Sequence, residues 1–309
     1  MHTGLPADFH LLAEIPHLAL LASRIRQAAQ RDDVESLQAV EAALELLPYT
    51  LSMAAYALLR LARSQRDVVK SVTARTTLQP RTITTILLDQ AERDVMAFAI
   101  DSFLDASRRA QNASILYLSR VLRTSLPNSL ADLAEEPSTA RPHVPTRVKD
   151  LIINYWRDSG ALLKQYRDLC QHHALVSSDG RVTFSPAGEA VVYLVLPNNP
   201  GEASPRRLAY KSPRVDAFPY ALGAYEGLYA FVFELTHLLM SYTVGPRTQL
   251  HGVFFKGRVE AAVEGSPPPA EREVADRLSG LRTELAARLD GELPRSDIAP
   301  TLVVPDDSA

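Results

Sequence analysis

The chain has 309 residues, 46% hydrophobic and 22% charged, with a formal net charge of −3. That composition fits one large or two ordinary packed domains, and it excludes a disordered or fibrous chain and a global positive field for nucleic acid. Cys170 is the only cysteine, which excludes an intramolecular disulfide and a cysteine-built zinc cage.

The opening Met1-His2-Thr3-Gly4-Leu5-Pro6 has no basic n-region, and Glu14, Pro16 and His17 break the apolar run after it, so no secretory leader is expected and the chain reads as cytoplasmic. Leu11, Leu12, Ile15, Leu18, Ala19, Ala22 and Ile25 recur at three- and four-residue spacing and predict an amphipathic helix over residues 9–29. A second helix is expected over 34–47, opened by Asp33 as N-cap and ended by Pro48, and a third over 49–72. Pro80 suits the first turn of a long central helix that no breaker interrupts before Pro127, with room for a kink near 111–114.

The stretch 127–145 holds four prolines and reads as a linker around a short helix at 129–135. A helix over 146–172 follows, and then the period falls to two. Residues 174–176 and 181–184 are expected to form a hairpin about the turn 177–180, with 190–196 and 208–211 as further strands. The most apolar segment, 218–242, contains Glu226, Glu234 and His237 and reads as a buried helix rather than a membrane span. A charged helix over 270–289 and a Pro- and Asp-rich tail close the chain. The expected fold is mainly α: a helical bundle with a long central helix and a small antiparallel hairpin or sheet inserted at about 174–211. Its divisions are 1–79 (helices packing on the bundle), 80–264 (the bundle) and 265–309 (peripheral).

One run carries chemistry: Tyr166-Arg167-Asp168-Leu169-Cys170-Gln171-His172-His173. There is no Gly-x-Ser-x-Gly elbow, no His-Glu-x-x-His pair and no Gly-rich loop behind a strand, and the Cys-x-His-His cluster lacks a partner cluster, so no metal or cofactor is expected. Arg167 followed by a polar residue, with His172 and His173 four to six positions on, resembles the motif of the HEPN superfamily. That resemblance covers roughly residues 80–239. It implies an up-and-down helical bundle, metal-independent RNA cleavage of the kind found in toxin, antiviral and RNA-processing systems, and a homodimer formed across the motif. Asp105-Ala106-Ser107-Arg108-Arg109 partly echoes a second element of some members, an acidic residue three positions before a basic pair. The predicted sheet after His173 departs from a minimal member.

On that reading His172 or His173 moves the proton, since imidazole titrates near neutrality, and Arg167 meets the phosphorane charge. Asp168, four residues before His172, shares its helix face and would orient the ring. Arg206, Arg207, Lys211 and Arg214 form a basic loop that would extend the RNA path. Arg167 and His172 lie about 140° apart around a regular helix, so they serve one site only where the helix ends or a second subunit joins. Two plainer readings stand beside this one. Basic residues in a last helical turn neutralise its free carbonyls whatever else they do, and the whole chain could be a non-catalytic helical module that binds another protein.

Overall fold

The computed structural model describes residues 34–76, 83–136, 144–173, 179–202, 204–211, 214–243 and 269–288. The amphipathic helix expected over 9–29, the N-cap Asp33, the first strand of the expected hairpin and the C-terminal tail lie outside these residues. The fold is mainly helical with a small antiparallel sheet, as the periodicities predict.

The first described helix, α1 (Val34–Arg75), is one continuous rod with Pro48 inside it, where two helices were expected. A proline within a helix costs about 3 kcal/mol. Leu44, Leu47 and Leu51 bracket it at 1% exposure or less, and each contributes about 2 kcal/mol on burial. The Thr50 hydroxyl also lies 3.0 Å from both the Leu46 and Leu47 carbonyls. Together these outweigh the break.

The long central helix starts later than Pro80 predicts. Residues Thr84–Leu87 form strand β1, and α2 (Gln90–Leu122) begins at a capping box. In it Asp89 accepts from the Glu92 amide and Glu92 accepts from the Asp89 amide, at 2.9 and 3.1 Å. The β-branched run Thr82-Ile83-Thr84-Thr85-Ile86 explains the strand. From its box α2 runs as one continuous helix past 111–114. The short helix α3 (Leu130–Glu135) follows, capped by Ser129. Next come α4 (Thr146–Tyr155), a π-turn (Trp156–Gly160) and α5 (Ala161–His173), together filling the span expected for a single helix.

Strands β2 (Asp179–Phe184), β3 (Ala190–Leu196) and β4 (Val215–Asp216) complete a sheet of order β1-β2-β3-β4, antiparallel throughout. This corrects the hairpin. Asp179 and Gly180, read as turn residues, open a strand, and β2 pairs with β1 and β3. The sheet therefore draws one strand from ahead of the central helix, and residues 208–211 form no strand. Helix α6 (Ala217–Thr243) packs against α1, α2 and α4. Its Leu228, Val232 and Leu239 are fully buried, which accounts for its apolar sequence. By length and composition alone α1, not α6, is the one described helix apolar enough to cross a membrane, and 61% of that window is buried inside the fold. Helix α7 (Pro269–Arg288) lies on α6, buries Leu281 and Leu285 and forks Arg282 onto Glu226 at 2.5 and 2.8 Å.

Candidate functional site

Helix α5 carries its apolar residues Leu163, Tyr166 and Leu169 inward, which turns Arg167 along the seam with α2. There the two charged segments picked out in the sequence meet. Arg167 Nη2 lies 3.9 Å from Asp105 Oδ1, and its Nη1 lies 3.4 Å from Asp168 Oδ1. Each carboxylate has a closer cation: Asp105 takes Arg109 at 2.7 Å and Asp168 takes Lys164 at 2.6 Å. Burial alone pushes the Asp168 carboxyl up, but the hydrogen bond and charge of Lys164, then those of Arg167, outweigh it and hold the group below the ordinary carboxylate value.

Arg108, on the same stretch of α2, donates from Nη1 to Gln111 Oε1 at 2.8 Å, and Gln111 Nε2 donates to the Tyr155 hydroxyl at 2.9 Å. Burial lowers the Arg108 pKa, the neighbouring Arg167 charge adds to this, and Asp168 opposes it. The sequence pattern marked Arg108 but gave no sign of Gln111 or Tyr155, whose pairing joins two helices far apart in the chain.

His172 stands exposed in the last turn of α5. His173 closes that helix, and its side chain lies outside the described residues. Because α5 stays helical to His173, the angular offset between Arg167 and His172 persists within one chain. Cys170 is half-buried, and burial followed by the Asp101 charge raises its thiol far above the range where thiolate forms at neutral pH.

The basic loop is fixed from behind by two asparagines of the segment Pro197-Asn198-Asn199-Pro200-Gly201 that ends β3. The Asn198 amide bonds the Ala209 carbonyl at 2.7 Å, and its side-chain oxygen takes the Lys211 amide at 2.6 Å. Asn199 takes the Ala209 amide at 2.6 Å and donates to the Arg207 carbonyl at 3.0 Å. Pro197, just before them, accepts the buried Tyr166 hydroxyl at 2.6 Å. Arg206, Arg207, Lys211 and Arg214 are all exposed, so the loop that carries them is tethered to the residue preceding Arg167. Flanking prolines around Asn198-Asn199 were the only signal of a shaped turn.

On α6, Tyr225, Tyr229 and Phe231 are core residues. Gly227 marks a close crossing, since a Cβ there would come within 2.9 Å of Ser159 Oγ in the π-turn, whereas Gly223 faces open space. Among the described residues no group of three His, Cys, Asp or Glu side chains is placed to hold a metal. No family model, curated protein or solved structure matches this chain.

Proposed function

We propose that this chain is a HEPN-like, metal-independent endoribonuclease, or an inactive relative that keeps the RNA-binding surface, acting in the cytoplasm as a homodimer in a bacterial defence or toxin setting. One observation carries the reading: Asp105 of α2 and Arg167 of α5, parts of two motif elements distant in sequence, come together at one seam. His172 or His173 removes the 2′-hydroxyl proton as the oxygen attacks the adjacent phosphorus, and an imidazole of the second subunit returns a proton to the departing 5′-oxygen. Arg167 offers its donors to the non-bridging oxygens as they gain charge. Its contacts at 3.4 and 3.9 Å are loose enough to exchange for a phosphate. Two copies of the end of α5, brought together by a two-fold axis, supply the His-Arg pairing that a single helix cannot. The basic loop Arg206, Arg207, Lys211 and Arg214 guides the strand.

The test is cleavage of a defined single-stranded RNA in excess chelator. The wild type should cut it, and His172→Ala/His173→Ala should fold normally by circular dichroism and cut nothing. Cleavage retained in that double variant overturns the reading.

A second reading, a non-catalytic helical module for another protein, is favoured by exposed apolar side chains at Leu87, Val95 and Phe98, which are 70%, 54% and 67% exposed. Under it Phe98→Asp would abolish capture of a partner while the double histidine variant would leave capture intact.

A further inference from the structure

Resting on the reading above, we infer that Arg108 is a second phosphate-binding guanidinium, forming with Arg167 a paired-arginine oxyanion site at the seam of α2 and α5. The charges at the seam are unequally matched. Arg109 and Lys164 hold the short contacts to Asp105 and Asp168, at 2.7 and 2.6 Å. Arg167 reaches the same carboxylates only at 3.9 and 3.4 Å, and its Nε is buried with no hydrogen-bond partner. Arg108 bonds a neutral amide, and among the described residues no carboxylate pairs with it. Arg108 stands one helical turn from Asp105, the α2 carboxylate that Arg167 reaches, so the two guanidiniums share one seam, where Asp168 is the strongest charge acting on Arg108 and Arg167 opposes it.

The way Arg108 is held favours a ligand role. Gln111 fixes one nitrogen of the guanidinium without quenching its charge, and Tyr155 fixes Gln111 from the last turn of α4. The π-turn then brings Gly160 against this pair: a Cβ there would come within 3.0 Å of the Tyr155 ring and 3.4 Å of Gln111 Nε2. Arg108 is half-buried and the Arg167 side chain is 27% exposed, so both are oriented yet reachable. A tetrahedral oxyanion at this seam accepts from two planar forks. The ligand class is a phosphate, either a diester of RNA or free inorganic phosphate.

The full chain would be titrated with labelled oligouridine at several salt concentrations and, separately, with inorganic phosphate. Arg108→Gln should weaken oligouridine binding about tenfold and flatten the logarithmic salt slope by about 0.7, one phosphate's worth on a single strand. Arg108→Lys, which keeps the charge and loses the fork, should recover part of the affinity. Gln111→Leu should weaken binding while preserving the wild-type salt slope, a separation that simple loss of folding would not give. Phosphate binding that depends on Arg108, without oligouridine binding, would assign the site to the free anion.

Arg108→Gln matching the wild type for both probes at every salt concentration overturns the inference, as does a wild type that binds neither. The His172→Ala/His173→Ala variant separates the two proposals, because it should bind as the wild type does and not cleave. A wild type that binds through Arg108 but cuts nothing removes the nuclease and keeps the paired site. Cleavage and binding unchanged in Arg108→Gln would do the reverse.

Discussion

Arg75 and Glu92 close the seam between α1 and α2, with Arg75 Nη2 2.6 Å from Glu92 Oε2. The same carboxylate accepts the Ser71 hydroxyl at 3.0 Å and the Asp89 amide at 3.1 Å, so one side chain serves as capping residue, ion-pair partner and helix clamp. Glu92 is only 9% exposed. Glu92→Ala should therefore destabilise the fold by about 2 to 4 kcal/mol, more than a surface ion pair ever contributes, because it strands several donors at once. Urea denaturation measures this. Glu92→Gln, which keeps the box and loses the charge, should cost roughly half as much.

The Gln111–Tyr155 hydrogen bond is buried, so removing one partner costs more than removing both. Tyr155→Phe and Gln111→Leu should each cost about 1 to 3 kcal/mol, and the double variant should cost distinctly less than their sum. An additive result in a double-mutant cycle would show that the bond has no cooperative value.

The Asp216 carboxyl is raised to about 7, chiefly by burial, against which the backbone amides of Leu194, Phe218 and Ala217 act. Its folded pKa thus lies above its unfolded value of 3.8, and the folded chain holds the proton more tightly. The resulting stability is fully present below the unfolded value and is lost as pH rises through about 7. Thermal melts of the wild type and Asp216→Asn should show the variant gaining on the wild type from about pH 4 to about pH 7, with the difference flat above that range. A gap independent of pH would assign the carboxyl an ordinary pKa.

The turn at Asn198-Asn199 sets the backbone of the basic loop through bonds to Ala209, Lys211 and Arg207. Asn198→Ala/Asn199→Ala should leave α5 and α6 intact and speed hydrogen exchange at the amides of Ala209 and Lys211 by about tenfold, equivalent to about 1.4 kcal/mol of lost protection. Tyr166→Phe should speed the same amides to a lesser degree, since it frees the Pro197 carbonyl that anchors the turn.

Most helices were legible because a three- to four-residue apolar period reports directly which face is buried, and β3 was legible because a short apolar, β-branched run is bounded by turns. Two errors share one cause. Pro48 and Pro80 were weighed as local signals, but Leu44, Leu47 and Leu51 carry α1 through the first, and strand pairing with β2 claims Thr84–Leu87 beyond the second. At the candidate site, Arg167, Asp168 and His172 stood out because their spacing is local. Asp105, Gln111 and Tyr155 could not be joined to them by any spacing rule, since only the packing of α2 against α5 and the reach of the Tyr155 hydroxyl to Gln111 bring them close.

The π-turn at Trp156–Gly160 works as a register gauge. A helix with one residue too many winds that surplus into a wide loop, and whatever follows is rotated by about 100° relative to an uninterrupted rod. Cutting a single residue from this segment would remove the surplus and restore ordinary winding, with the guanidinium still looking toward Asp105 and the apolar stripe beside it still in the core. Lineages descended from this chain should therefore tolerate the loss of one residue there more readily than the same loss within α4 or α5, where every side chain downstream would turn by about 100°.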